Sequence, residues 1–379
     1  MHSSKLFAAV LAFSGVAFSH PGHDIAQEAA ERRAYLDNVA RADLSHCADK
    51  LASRGVTARN VERRLATVRR AREKRSITRR DLDSVLAKDH NATSLGYTPE
   101  TDPSLLFAGN TSCILTPEVT QGPYYVSGEH VRADIAETQA GVPTVLDYQV
   151  IDVNTCEPVP NVYLEIWHCN STGVYSGVVA QGNGDSSDTT NIDATFNRGI
   201  QRTDADGVAQ FETTFPGHYT GRATHIHTLV HSGARLYCNG TLGNLVNSSH
   251  VGQTFFDQSL ISAVEAVEPY VPNTQELTLN SEDSILAEEV ATGADPFFQY
   301  TYLGSTAADG IFGWIAFGYN ASAPGSAVTP ASFLYEDGGV ANPDSGMGGG
   351  PGGGSPPSGG SPPSGSLPSG TPPASTASA

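Results

Sequence analysis

Lysine disappears from this chain after Lys88, and beyond residue 90 the only basic side chains are Arg132, Arg198, Arg202, Arg222 and Arg235. Set against 29 acidic residues in the same stretch, they leave a net charge of −24. That excludes nucleic acid and anionic membrane as partners of this portion. Long apolar runs are missing too: after residues 6–18 no segment approaches the roughly 20 apolar residues a bilayer span requires. Past about Asn342 even short apolar runs give out, leaving Gly, Pro and Ser with Asp344 as the only charge. Such a stretch cannot bury a core, and without a hydrophobic tail it carries no lipid-anchor signal.

The 379 residues are enough for one large or two medium domains. Residues 1–19 combine Lys5, an apolar run from Leu6 to Phe18 and small residues at Ala17 and Ser19, which predicts a secretory signal cleaved before His20. The product is then soluble, secreted and extracellular. Residues 20–90 hold sixteen Lys and Arg, with Leu36, Leu51, Val61, Leu65, Val68 and Leu86 at helical intervals and Gly55 as punctuation. This basic helical segment reads as a propeptide, removed or loosely docked on the acidic domain, with Lys74-Arg75 among the dibasic pairs open to a processing protease. An ordinary helical subdomain is the alternative. Residues 91–335 form the main domain, and residues 336–379 a disordered low-complexity tail.

Five cysteines in an exported chain point to disulfides with one thiol left over. Of the three pairings open to Cys113, Cys156, Cys169 and Cys238, we favour Cys113–Cys156 and Cys169–Cys238, with Cys47 unpaired. Sequons at Asn91, Asn110, Asn170, Asn239, Asn247 and Asn320 suit the same compartment and a glycoprotein.

From about residue 103 the chain turns to Thr, Val, Tyr, Gly and Pro in short alternating runs. Residues 144–153, 162–168, 208–215, 224–230 and 311–319 are predicted strands, and residues 256–270 a helix. Strands at such spacing predict an all-β fold, a β-sandwich. In a strand, His225 and His227 of the His-Ile-His triplet share one face while Ile226 enters the core, which makes a two-nitrogen clamp. Tyr219 follows the Pro216-Gly217 turn, Tyr175 follows the turn at Gly173, and Arg222 lies between Tyr219 and the clamp. Two phenolates and two imidazoles suit a hard trivalent ion, Fe(III), whereas zinc draws on Cys, His and carboxylate. Each residue alone has an ordinary structural explanation; the set is what points to a metal.

Four motifs carry a resemblance to a known family: Thr116–Tyr125 with Gln121-Gly-Pro-Tyr-Tyr125, Trp167-His168 through Tyr175, Arg198-Gly199 with Thr203-Asp204 and Gly207, and Pro216-Gly-His-Tyr219 with Arg222-x-x-His225-Ile-His227. Over residues 105–305 the chain resembles the intradiol ring-cleavage dioxygenases, relatives of catechol 1,2-dioxygenase and protocatechuate 3,4-dioxygenase, in the form of their fungal extracellular branch. The resemblance implies one mononuclear non-haem Fe(III) held by Tyr175, Tyr219, His225 and His227. By the same likeness Arg222 stands beside the substrate ring, and Tyr219 is displaced by substrate to accept a proton. The substrates implied are O2 and a small aromatic of the catechol or hydroxyquinol type, cleaved between the two hydroxyl-bearing carbons to a cis,cis-muconic acid. Here only Thr220 and Gly221 separate Tyr219 from Arg222, a shorter connection than in the better-known members. A non-catalytic cell-wall or matrix β-sandwich, with the tail as a stalk, is the competing expectation.

Overall fold

The computed structural model describes residues 44–75, 112–114, 122–180, 183–243, 247–248, 250–290, 295–320 and 326–345. The signal, the sequons at Asn91 and Asn110, the side chain of Cys113 and the tail beyond residue 345 lie outside the described residues.

Two helices come first, α1 (Ala48–Ser53) and α2 (Val56–Lys74), divided at Gly55, whose φ of 69° only glycine adopts without cost. The strands follow: β1 (Ser112–Ile114), β2 (Val126–Ser127), β3 (Pro143–Asp152), β4 (Tyr163–Trp167), β5 (Arg198–Arg202), β6 (Val208–Thr214), β7 (His225–His231), β8 (Asn247–Ser248) and β9 (His250–Phe255). Helices α3 (Gln258–Glu265) and α4 (Ser284–Val290) lead to β10 (Gln299–Tyr302), β11 (Ile311–Tyr319), β12 (Ser326–Ala327), β13 (Ser332–Tyr335) and β14 (Gly338–Ala341). One sheet runs β1-β11-β3-β6 with β10 on β11, and the facing sheet runs β5-β4-β7-β9. Between them lies the main core, where Leu146, Tyr148 and Val150 of β3 and Phe211 of β6 meet Leu164, Ile166, Ile226 and Val230. Each such side chain contributes about 1.5–3 kcal/mol by leaving water. The all-β sandwich expected from the sequence is the fold observed.

Alternation along β3 gives the first sheet a second buried face. With Leu146, Tyr148 and Val150 turned inward, Asp147, Gln149 and Ile151 face out, yet nearly the whole strand is buried because α1 and α2 cover it. The basic helix lays its charges on acidic groups. Arg63 grips Asp147 through two nitrogens at 2.9 and 3.0 Å, Arg64 reaches the same carboxylate at 3.2 Å, and Arg59 meets Asp206. Asn60 and Gln149 exchange two hydrogen bonds, and Val68 and Ala71 pack on Val145, Phe312 and Trp314.

The disulfide pattern differs from the expected one. Cys47 is joined to Cys156, while Cys169 and Cys238 are free thiols. Docking of the helical segment brings Cys47 to the turn after β3, where Leu44, Leu51 and Val56 surround it together with Ile151 and Val153. Cys169 is sealed among Tyr175, Tyr219 and Trp167, and Cys238 lies exposed on a surface turn. The ordered domain also extends past residue 335: β14 closes a hairpin with β13, which pairs in parallel with β2.

Candidate metal centre

Strand β7 lies inside the second sheet, between β4 and β9, so both its faces are covered. Ile226 and Val230 enter the core, while His225 and His227 point to the opposite face, their Nε2 atoms 3.0 Å apart. The Nδ1–H of His225 donates to the Ala223 carbonyl at 2.6 Å, which leaves Nε2 as the lone-pair nitrogen aimed into the cluster. The ring of His227 is held by stacking: Trp167, its cross-strand neighbour, lies parallel to it at 4.8 Å with 3° between planes. On the other side Gly122 approaches so closely that a Cβ there would lie 2.5 Å from His227 Cε1.

Tyr175 comes from the loop after β4. Asn170 shapes that loop by accepting from the Thr172 and Val174 amides, and its Nδ2 donates to Gln139, so the sequon asparagine is engaged on both sides of its amide. Tyr219 arrives on a turn closed by a bridge to Arg222 across Thr220 and Gly221. The two tyrosine loops touch where side chains are absent: a Cβ at Gly173 would lie 2.5 Å from the His218 carbonyl oxygen, and one at Gly217 would lie 2.5 Å from that of Ser171. Tyr175 Oη is then 3.4 Å from Tyr219 Oη, which is 3.3 Å from His225 Nε2. All four residues predicted as ligands meet in one cluster, each at most 4% exposed.

The electrostatics suit a bound cation. Burial foremost, reinforced by Tyr219, holds the Tyr175 hydroxyl well above the ordinary tyrosine value. Burial raises Tyr219 as well, with Arg222 opposing. Phenolates would form here only with a strong positive charge to replace their lost solvation. His227 is kept neutral by burial, then by His225 and Arg222. Two imidazoles and two hydroxyls with no carboxylate among them make a donor set suited to a hard trivalent metal.

Arg222 is buried beside the cluster. Its Nε donates to Asp283 Oδ2 at 2.9 Å and its Nη2 to Gln253 Oε1 at 2.5 Å, and although burial works against its charge, Asp283 more than restores it. Tyr124 packs tilted against Tyr175 at 5.1 Å and Tyr125 against Trp167 at 5.4 Å, so both back the donor residues. His168 and His231, read from the sequence as packed imidazoles, are bonded to Thr213 and Glu165 respectively. Gln253 and Asp283 escaped the sequence reading because they reach the site only through the pairing of β9 with β7 and the return of the chain at residue 283. Trp167 and Gly122 lay within the quoted motifs, but their contact with His227 is visible only in three dimensions.

Residues 120–235, which contain all four donors and Arg222, match the family described as dioxygenase. Over this segment the chain is similar to catechol-cleaving dioxygenases. Its similarity to catechol 1,2-dioxygenase 1 of Acinetobacter lwoffii is 30% identity over 141 residues, 31% of this chain and 42% of that protein. With catechol 1,2-dioxygenase of Acinetobacter baylyi it is 31% over 110 residues, 27% of this chain and 32% of that one. The chain thus spans less than half the length of these curated relatives. Among solved structures, an intradiol ring-cleavage dioxygenase from Tetranychus urticae aligns with a TM-score of 0.46 and 29% identity, covering 55% of this chain and 96% of that one.

Proposed function

We propose that this protein is a secreted Fe(III) intradiol dioxygenase that inserts both atoms of O2 between the hydroxyl-bearing carbons of a catechol or hydroxyquinol, giving a cis,cis-muconic acid. The observation that carries this reading is the convergence of Tyr175, Tyr219, His225 and His227 on one buried point with Arg222 beside it. Ferric iron held by these four residues would supply Lewis-acid activation of the aromatic ring and electron exchange with O2.

The chain's own groups divide the remaining work. Tyr219 sits on the shorter connection of the two tyrosines, a two-residue turn, which suits it to swing aside for substrate. As a phenolate, Tyr219 Oη would be placed to take the proton of a catechol hydroxyl. Arg222 holds a fixed positive charge where negative charge develops on the ring. Trp167, Tyr124 and Tyr175 exclude water from the same space. His225 and His227, fixed by Ala223 and Trp167, keep the donor geometry through the cycle.

The test is colour and stoichiometry. Purified protein loaded with iron should be burgundy from phenolate-to-Fe(III) charge transfer, and should consume one O2 per catechol while muconate absorbance rises in the ultraviolet. Colourless iron-loaded protein inert toward catechol and hydroxyquinol would leave the cell-wall sandwich as the better reading. Export is tested separately, by recovery of the chain from culture medium with an amino terminus at or beyond His20.

A further inference from the structure

The turn that carries Arg222 is too short to brace itself. Only Thr220 and Gly221 precede the arginine, and its backbone is held from outside by the segment ahead of α4: Gly221 N donates to Thr278 Oγ1 at 2.8 Å, and Thr220 Oγ1 accepts from Glu276 N at 3.2 Å. At the end of that segment stands Asp283, 1% exposed, with both oxygens engaged twice. Oδ1 accepts from the Ile285 and Leu286 amides at 2.9 Å each, which closes the first turn of α4. Oδ2 accepts from Arg222 Nε at 2.9 Å and from the Ala223 amide at 2.7 Å.

Capping a helix needs one carboxylate oxygen, and a serine or asparagine serves as well. The second oxygen and the charge are therefore free for another task, and the structure applies both to Arg222. A guanidinium pairs with a carboxylate in a fixed plane, so a bond at Nε sets the direction of the Nη edge, and Gln253 at Nη2 completes the constraint. Ala223 extends the same support toward the donors. Its amide is held by Asp283 and its carbonyl accepts from His225 Nδ1, while its side chain is wedged between Phe255 and Leu286.

We propose that Asp283 is a positioning residue for ring cleavage, one that acts through Arg222 by fixing the plane of its guanidinium. The proposal rests on the function argued above. It concerns a residue outside the matched segment 120–235, on a stretch that substitutes external bracing for loop length.

A double-mutant cycle in the full chain tests it. Asp283→Asn keeps the size and the Oδ1 acceptor but offers Arg222 an NH2 group in place of Oδ2, and Asp283→Ser keeps helix capping while falling short of the arginine. Each should lower kcat on catechol at least tenfold with the melting temperature and iron content near wild type. In an Arg222→Ala background the same changes should cost less than a further twofold, since the group acted through is gone. Equal losses in both backgrounds, or unfolding of both variants, would make Asp283 a purely structural cap and overturn the proposal. A readout independent of turnover separates this from failure of the functional reading. The Arg222 Nε–H should give a slowly exchanging proton resonance in the wild type that is lost in Asp283→Asn even if the protein proves inert toward every catechol. A wild-type Arg222 Nε–H that exchanges as fast as an exposed arginine's would likewise overturn it.

Discussion

Tyr219 Oη lies 3.3 Å from His225 Nε2, so the donor on the shortest turn touches the donor whose ring is most firmly fixed. The proposed cycle requires Tyr219 to leave the cluster while His225 stays. Tyr219→Phe should lower kcat on catechol by about 10²- to 10⁴-fold, the usual range for loss of a positioned acid–base group. Iron should remain on the other three donors, with a weaker visible band. Turnover at the wild-type rate would remove Tyr219 from the site.

Gly122 has a φ of 76°, and a methyl group there would lie 2.5 Å from His227 Cε1. Gly122→Ala should displace the imidazole from its stack on Trp167 and add about 1 kcal/mol of backbone strain. The expected result is a folded protein that binds iron substoichiometrically, read by metal analysis beside circular dichroism. Full metal content would show that the approach can relax.

Asp147 predicts the acid response of the fold. Burial alone would raise its pKa, but hydrogen bonds and charge from Arg63 and Arg64, with Gln210, outweigh that and hold it below the ordinary value. Its folded value is depressed, so its contribution is complete above the unfolded value of about 3.9 and is lost as pH falls from there through the folded value. Asp147→Asn removes the negative charge facing the buried Arg64 and should cost about 3–5 kcal/mol at pH 7. In urea titrations the gap from wild type should narrow toward pH 2; a constant gap would mean the charge is immaterial.

Glu129 predicts the opposite slope. Burial, opposed by Arg198, raises its pKa to about 8, and neither carboxylate oxygen has a hydrogen-bond partner among the described residues. Between the unfolded value of about 4.3 and about pH 8 only the folded chain keeps the proton, so the folded state loses ground as pH rises, and the loss levels off above that. Glu129→Gln lacks this term and should match wild type near pH 4 while exceeding it by more than about 1 kcal/mol at pH 9. Parallel stability curves would refute the assignment.

The Cys47–Cys156 bond, with the Arg63 and Arg64 pairs, bears on the fate of the basic segment. Cleavage after Lys74-Arg75 should not release it: nicked protein should run as one band without reductant and as two with it. Cys47→Ser should lower stability by about 2–4 kcal/mol. A mature protein isolated without residues 44–75 would contradict this.

The parts of the molecule legible in the sequence were the local ones. His-Ile-His fixes two imidazoles on one face by alternation alone, and the strands at β3, β4, β6, β7 and β11 were placed within a residue or two for the same reason. The tyrosines needed only the turns at Gly173 and Gly217 to be brought in. Pairings set by docking were not legible. Cys156 could be joined to Cys47 only once the Arg-rich helix was known to cover Asp147, and nothing in the spacing of five cysteines encodes that. The short, unpatterned strand at Arg198–Arg202 and the hairpin through Gly338–Ala341 were missed for a related reason: each exists because a neighbour supplies its hydrogen bonds.

The chain has two tryptophans, and the fold assigns one to each side of the sandwich. Trp167 lies flat on His227, while Trp314 sits beneath Arg64 at 5.7 Å where the helix is seated. Intrinsic fluorescence therefore offers two separable optical gauges: with Trp314 replaced by Phe the remaining emission follows occupancy of the histidine clamp, and with Trp167 replaced it follows seating of the helix.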